Sequence, residues 1–103
     1  MSEGALAHLR VVDASQVMAG PYCAMLLADL GADVIKVEPP GGETTRHSLG
    51  EVQPWGESAA FLAVNRNKRS MRLDLRRAEG ADVLRRLVSR GDVLVENFRP
   101  GGL

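Results

Sequence analysis

The chain predicts an α/β fold, an open parallel sheet built from two strand-helix-strand (βαβ) units, and two observations carry that prediction. Between Leu9 and Glu38 a short β-branched strand, a glycine-bearing turn, an apolar helix and a second apolar strand follow one another without interruption. The same order of signals returns between Met71 and Phe98, so that Leu30–Glu38 and Ser89–Glu96 each read as a glycine, an aspartate, a buried strand and a terminal glutamate. Parallel strands need long, usually helical crossovers, and this alternation supplies them.

Leu9–Ala14 is the first strand, followed by the polar turn Ser15-Gln16. Pro21 stands where a first helical residue is favoured, and Cys23, Leu26, Leu27 and Leu30 recur at the i, i+3, i+4, i+7 spacing of a buried stripe. Gly31 is expected to stop this helix as a left-handed cap. Asp33–Glu38 is the second strand, ended by Pro39-Pro40-Gly41-Gly42. The stretch from Pro39 to Ser58 carries a further proline at Pro54 and a lone Trp55, and a loop of that length is usually functional or mobile. Glu57–Val64 is expected to form a short helix leading into the polar turn Asn65–Arg69. Met71, Leu73 and Leu75 alternate as a third strand. Gly80, Val83, Leu84, Leu87 and Val88 form the next helical stripe, capped by Gly91, and Asp92–Phe98 is the fourth strand.

The 103 residues make one domain at most, with a modest core. Lysine plus arginine and aspartate plus glutamate balance at 13 each, which removes a composition-level case for nucleic acid. One cysteine, Cys23, supports neither a disulfide framework nor a cysteine metal site, and a reducing, cytoplasmic setting fits best. No segment has the roughly 18 apolar residues that a membrane span needs, and the first eight residues lack a secretory pattern, so a soluble, unprocessed protein without a membrane partner is expected. A parallel sheet wants both faces covered, and four strands with two long crossover helices and one short one barely achieve that. The chain is therefore expected to be either a fragment or a piece that docks onto more protein.

In open α/β sheets ligands sit beyond the carboxyl ends of the strands, beside helix N-termini that favour phosphate or carboxylate. Those positions are Ser15–Gly20, Glu38–Gly42, Asp74–Arg76 and Asn97–Arg99. They are expected to lie side by side as a nucleotide-like pocket, with apolar walls from Val17 and Leu73, backbone donors at Ala19 and Gly20, and charge from Arg76 and Arg99. Glu38 stands where NAD-dependent proteins keep their ribose-binding carboxylate, which makes a dinucleotide one alternative, although the turn offers Gly20 and Pro21 in place of G-x-G-x-x-G. Solvated strand ends are the other reading of Glu38 and Glu96. Asn65–Arg69 reads either as a phosphate site or as a solvated turn. Cys23 falls on the apolar stripe and is expected to be a buried, inert thiol. His8 and His47 have no ligand-spaced neighbours, so no metal is expected, and without a Ser-His-Asp set or a P-loop the residues alone name no catalytic unit.

The chain resembles the N-terminal part of class III CoA-transferases, the CaiB/BaiF family, which also includes formyl-CoA transferase, carnitine and bile-acid CoA-transferases and α-methylacyl-CoA racemase. The resemblance is carried by Ala19-Gly20-Pro21 with Leu30–Glu38, by Asn65–Ser70 with Leu73-Asp74-Leu75, and by Asp92–Gly101. It implies that residues 1–103 are the N-terminal CoA-binding Rossmann-like domain of a chain several times longer, two copies of which interlock as a homodimer. By the same resemblance, the positions matching the family's CoA contacts are Val17 and Ala19, Leu73 and Arg76, and Asn97 and Phe98. Arg76 stands where some members have lysine, and Pro39 where some have an arginine near the adenine. Met18 replaces a glutamine that some members place beside the reacting carbonyl, which speaks against the oxalate-specific subgroup.

The implied reaction moves coenzyme A from an acyl-CoA to a carboxylic acid through an aspartyl intermediate, with CoA as substrate and no permanently bound cofactor. The aspartate is expected downstream of Leu103, leaving no catalytic residue here. The family's racemases use a downstream His and Asp pair, so racemisation stays open, as does a nonenzymatic nucleotide-binding or interaction fragment.

Overall fold

The computed structural model describes residues 4–48 and 58–102, the side chains of His47 and Ser48 excepted. Pro54 and Trp55 lie outside the described residues. A four-stranded parallel sheet runs in the order β3-β2-β1-β4. Its strands are β1 (Arg10–Asp13), β2 (Asp33–Glu38), β3 (Lys68–Arg72) and β4 (Val93–Val95). β1 pairs with β2 from Arg10↔Asp33 to Asp13↔Lys36, and with β4 from Val11↔Val93 to Asp13↔Val95. β2 pairs with β3 from Val34↔Lys68 to Glu38↔Arg72.

Side-chain alternation splits the apolar residues between two faces. On one, Val11 and Val34 pack with Ala24, Ala28 and Ala32 beneath helix α1 (Ala19–Asp29). On the other, Val12 and Val37 pack with Leu84, Leu87 and Val88 of helix α4 (Ala78–Arg90). The sheet is thus wound on both faces, as the two expected βαβ units require. The second unit leaves β3 at one edge and returns as β4 at the other, so strand order reverses between β1 and β4. A crevice opens at such a reversal.

The helix α1 stripe differs from expectation. Pro21, Ala24, Met25 and Ala28 are buried, Leu27 is half-buried, Leu26 and Leu30 are 44% and 52% exposed, and Cys23 is exposed as well. Both stripes have helical spacing, because α1 is apolar almost all round. Packing against the branched Val11 and Val34 selects the face whose alanines let the helix backbone approach the sheet, and this turns Cys23 outward.

The two glycine stops fall where expected and differ from each other in conformation. Gly31 has φ +106°, its N–H donates to the Ala28 carbonyl and the Ala32 N–H to that of Leu27, which is the paired bonding of a left-handed cap. Gly91 ends α4 at φ −96°, in extended backbone open to any residue.

β3 begins earlier than expected, at Lys68. Leu73 and Leu75 lie past its end and pack against the α4-side core. Only residues 65–67 of the polar run turn, with Asn67 at φ +64°. Helix α2 (Thr45–Ser48) was hidden by proline- and glycine-rich surroundings. Helix α3 (Ala59–Val64) begins at Ser58, whose hydroxyl accepts the Phe61 N–H as an N-cap. β4 covers three of the seven residues expected. Among the described residues no helix is long and apolar enough to cross a membrane.

Gly80 lies in the first turn of α4, and a Cβ built there would stand 2.0 Å from the Asp74 carbonyl oxygen. Glycine to alanine in a helix ordinarily stabilises by about 0.5–1 kcal/mol. Here the backbone clash outweighs that gain, and Gly80→Ala is expected to lower stability by about 1–3 kcal/mol, read as a lower urea midpoint.

Candidate functional site

Each strand ends in a loop at the same rim of the sheet, and all four loops meet in one cleft of about 510 Å³. Gln16 enters from the loop after β1, Glu38–Gly42 from that after β2, Leu73–Arg76 from that after β3, and Phe98 from that after β4. Ala14, Val37, Leu73, Leu75 and Phe98 make much of the wall apolar, and Arg76 brings a cation. The combination suits an amphipathic ligand with a flat or aliphatic part and negative charge.

Beside the cleft, on the α1 side of the sheet, lies a buried set of ions. Asp13, Lys36, Glu38 and Glu43 are each no more than 1% exposed. Lys68 donates to Asp13 at 2.8 Å, and Lys36 contacts Asp13 at 4.0 Å and Glu43 at 3.4 Å. The Glu38 carboxylate is fully engaged. One oxygen accepts from the Glu43 N–H at 2.8 Å and from Arg46 Nε at 2.7 Å, the other from Arg46 Nη2 at 2.8 Å and from the Ser70 hydroxyl. The Arg46 guanidinium lies 4.1 Å from the centre of the Phe61 ring, which covers it. Glu38 is therefore neither a solvated strand end nor a carboxylate with a free oxygen for a ribose.

The Asn65–Arg69 run is also committed internally. Arg66 and Asn67 bind Asp29, Arg69 binds Asp33, and Lys68 donates to Asp13, the Pro21 carbonyl and Asn65. These bonds tie the start of β3 to α1, β1 and β2. Glu96 is exposed and accepts the Phe98 N–H at 2.9 Å. Among the described residues no group of three His, Cys, Asp or Glu side chains is placed to hold a metal ion.

A family model for CoA-transferase family III matches residues 6–103. The chain belongs to CoA-transferase family III. It is 54% identical over 101 residues to succinyl-CoA:mesaconate CoA-transferase of Haloarcula hispanica, across 95% of this chain and 26% of that protein. It is 47% identical over 108 residues to an acyl-CoA transferase of Fusarium pseudograminearum, across 97% of this chain and 24% of that protein. The crystal structure of a CaiB/BaiF family protein from Brucella suis superposes with a TM-score of 0.90 at 44% identity, covering 99% of this chain and 28% of that one. The chain spans about a quarter of the length of the curated relatives it matches.

Within this family III fold the six positions singled out in the sequence fall into three groups. Leu73, Arg76 and Phe98 line the cleft together. Asn97 stands behind it and clamps Gln16, accepting that residue's N–H at 3.0 Å and donating to its carbonyl at 2.8 Å. Val17 and Ala19 are exposed and stand outside the cleft wall. Ala19 opens α1, whose preceding residue Met18 makes no side-chain cap. Arg76 is paired with Asp74 at 3.2 Å but is 88% exposed, and its hydrogen bonds hold the Asp74 carboxyl below the usual range.

Lys36, Glu43 and Arg46 were missed by sequence reasoning, whereas Gln16 falls within the Ser15–Gly20 segment it placed at the crevice. A lysine inside the otherwise apolar Val34–Val37 run was a usable signal for a buried pair. Glu43 sits in a loop and Arg46 in the four-residue helix α2, both too short for periodicity, and neither carried a signal.

Burial alone would raise the Glu38 pKa, but the bonds from Arg46, Ser70 and the Glu43 N–H, with the Arg46 charge, outweigh it and hold the group down from 4.5 to about 2. A carboxyl depressed on folding stabilises the fold above its unfolded pKa, and that contribution is lost as pH falls through the folded value. Stability is thus expected to drop between pH 4.5 and about 2, with up to about 3 kcal/mol from this group. Glu38→Gln should be less stable at neutral pH and show a flatter acid limb. Urea midpoints measured across that pH range test this, and identical limbs would contradict it.

Proposed function

We propose that residues 1–103 form the coenzyme A-binding, Rossmann-like part of a transferase that moves CoA from an acyl-CoA donor to a carboxylic acid acceptor. The observation that carries this reading is the single cleft joining all four strand-end loops in a family III chain, with the apolar surfaces of Leu73 and Phe98 beside the exposed Arg76 cation. Coenzyme A matches that wall in kind, an adenine and an aliphatic arm flanking phosphates. Relatives named as succinyl-CoA:mesaconate and formyl-CoA:oxalate CoA-transferases support transfer as the reaction.

In this reading the covalent step, attack of an aspartate carboxylate on the acyl-CoA thioester, belongs to the part of the longer family chains that these residues do not span. An interlocked homodimer completes the enzyme in a cytoplasmic setting. The exposed ridge of Tyr22 and Leu26 on α1, with Leu30 at its C-cap, supports further protein over that helix, since large apolar side chains in line are poorly suited to water.

Calorimetric titration of the chain with CoA and with NADH tests the reading. CoA is expected to bind more tightly than NADH, with an affinity that weakens as salt is raised. Arg76→Ala should weaken CoA by about three- to tenfold, the range of a solvent-screened phosphate contact. Tighter binding of NADH, or an Arg76→Ala variant indistinguishable from the parent, would count against coenzyme A in this cleft.

A further inference from the structure

The turn that opens α1 is gripped by side chains from three other parts of the fold. Lys36 of β2 donates to the Ser15 carbonyl at 3.2 Å, Asn97 beyond β4 holds both backbone groups of Gln16, and Glu43 of the loop after β2 accepts the Val17 N–H at 2.8 Å. Val17 has φ +76°. For a β-branched residue that conformation crowds Cβ against the backbone, and it persists only where the surroundings impose it.

Glu43 is the group placed to impose it. The oxygen that meets Val17 also meets Lys36 at 3.4 Å, the other accepts from the Thr45 hydroxyl, and the side chain is 1% exposed. Its own N–H is held in turn by Glu38 at 2.8 Å. Glu43 also directly follows the Pro39–Gly42 turn, which faces Gln16 in the same cleft. One buried carboxylate therefore links two loops whose separation sets the width of the site.

We propose that Glu43 is a positioning residue for coenzyme A. By holding the Val17 N–H it keeps that backbone left-handed, and so fixes Gln16 relative to Pro39–Gly42 across the cleft. The inference rests on the coenzyme A reading above and adds a residue that touches no ligand.

The test uses the 103-residue chain. Amide hydrogen exchange without ligand and calorimetry with CoA are compared for the parent, Glu43→Ala, Glu43→Gln and Glu43→Ala with Val17→Gly. Removing the charged acceptor should cost the Val17 amide about tenfold or more in protection, while Val11 and Val34 in the sheet keep theirs, and should weaken CoA by about tenfold. Glu43→Gln retains an uncharged acceptor of the same reach and should lose only about threefold in each. Val17→Gly should restore most of the affinity lost in Glu43→Ala, because glycine adopts positive φ without crowding.

A role confined to general stability would lower protection at Val11 and Val34 in parallel and leave Val17→Gly without effect, and either result overturns the proposal. Unchanged Val17 protection in Glu43→Ala overturns it as well. If Glu43→Ala does not fold, Glu43→Gln decides, a selective loss at Val17 supporting the proposal and none refuting it. Should the parent bind no CoA while Glu43→Ala still bares the Val17 amide, the coenzyme A reading fails and the backbone clamp stands.

Discussion

Three carboxylates and three cations, Asp13, Glu38 and Glu43 with Lys36, Lys68 and Arg46, are drawn together on one side of a small parallel sheet, and the arrangement of its loops depends on them. Taking such groups out of water is costly, and their attraction offsets the cost only when every lone pair and proton is matched. Among the described residues no fully buried side-chain nitrogen or oxygen is left without a hydrogen-bond partner. Burial holds the Lys68 ammonium below its usual range, and the bond to Asp13 offsets only part of that shift. Removing one member would leave another charged, dry and unpaired, so the set is better understood as a device that admits one geometry than as a source of net stability. The geometry it admits ties the end of β1 to β2, to the loop after β2 and to the first half of β3.

Where the network ends, the apolar layers begin. The α1 side of the sheet packs Val11 and Val34 against alanines, and the α4 side packs Val12 and Val37 against Leu84 with partly buried leucines. The reversal of strand order between β1 and β4 then leaves an opening that neither helix covers. Loop chemistry decides what fills it. Two prolines and two glycines after β2 keep that wall low, and Phe98 after β4 gives the opposite wall an aromatic surface.

Much of this was legible in the residues. β2 was bounded correctly as Asp33–Glu38 because a glycine cap and a double proline bracket a branched run broken only by Lys36. The meeting of the four loops followed from topology alone. The misreadings share a physical cause, namely that periodicity counts apolar residues without weighing their size or sign. It could not choose between the leucine and alanine faces of α1. It also passed over Lys68 and Arg69 as the beginning of a strand, since cations at a sheet edge look like a turn until Asp13 and Asp33 are seen opposite them. The placement of Glu43 was beyond reach for a different reason. It depends on the bend after β2, which is set by contacts between residues far apart in the chain.

The brevity of β4 has a consequence of its own. It holds three residues against β1, with Val93 and Leu94 more than a third exposed. An open strand edge is a template on which neighbouring molecules can stack into fibrils, and the hazard grows with the length of straight backbone on offer. Three residues offer little purchase for such growth, and the Pro100–Gly101 turn soon afterwards bends the chain away. The shortest strand of the sheet is thus also the edge least suited to such stacking.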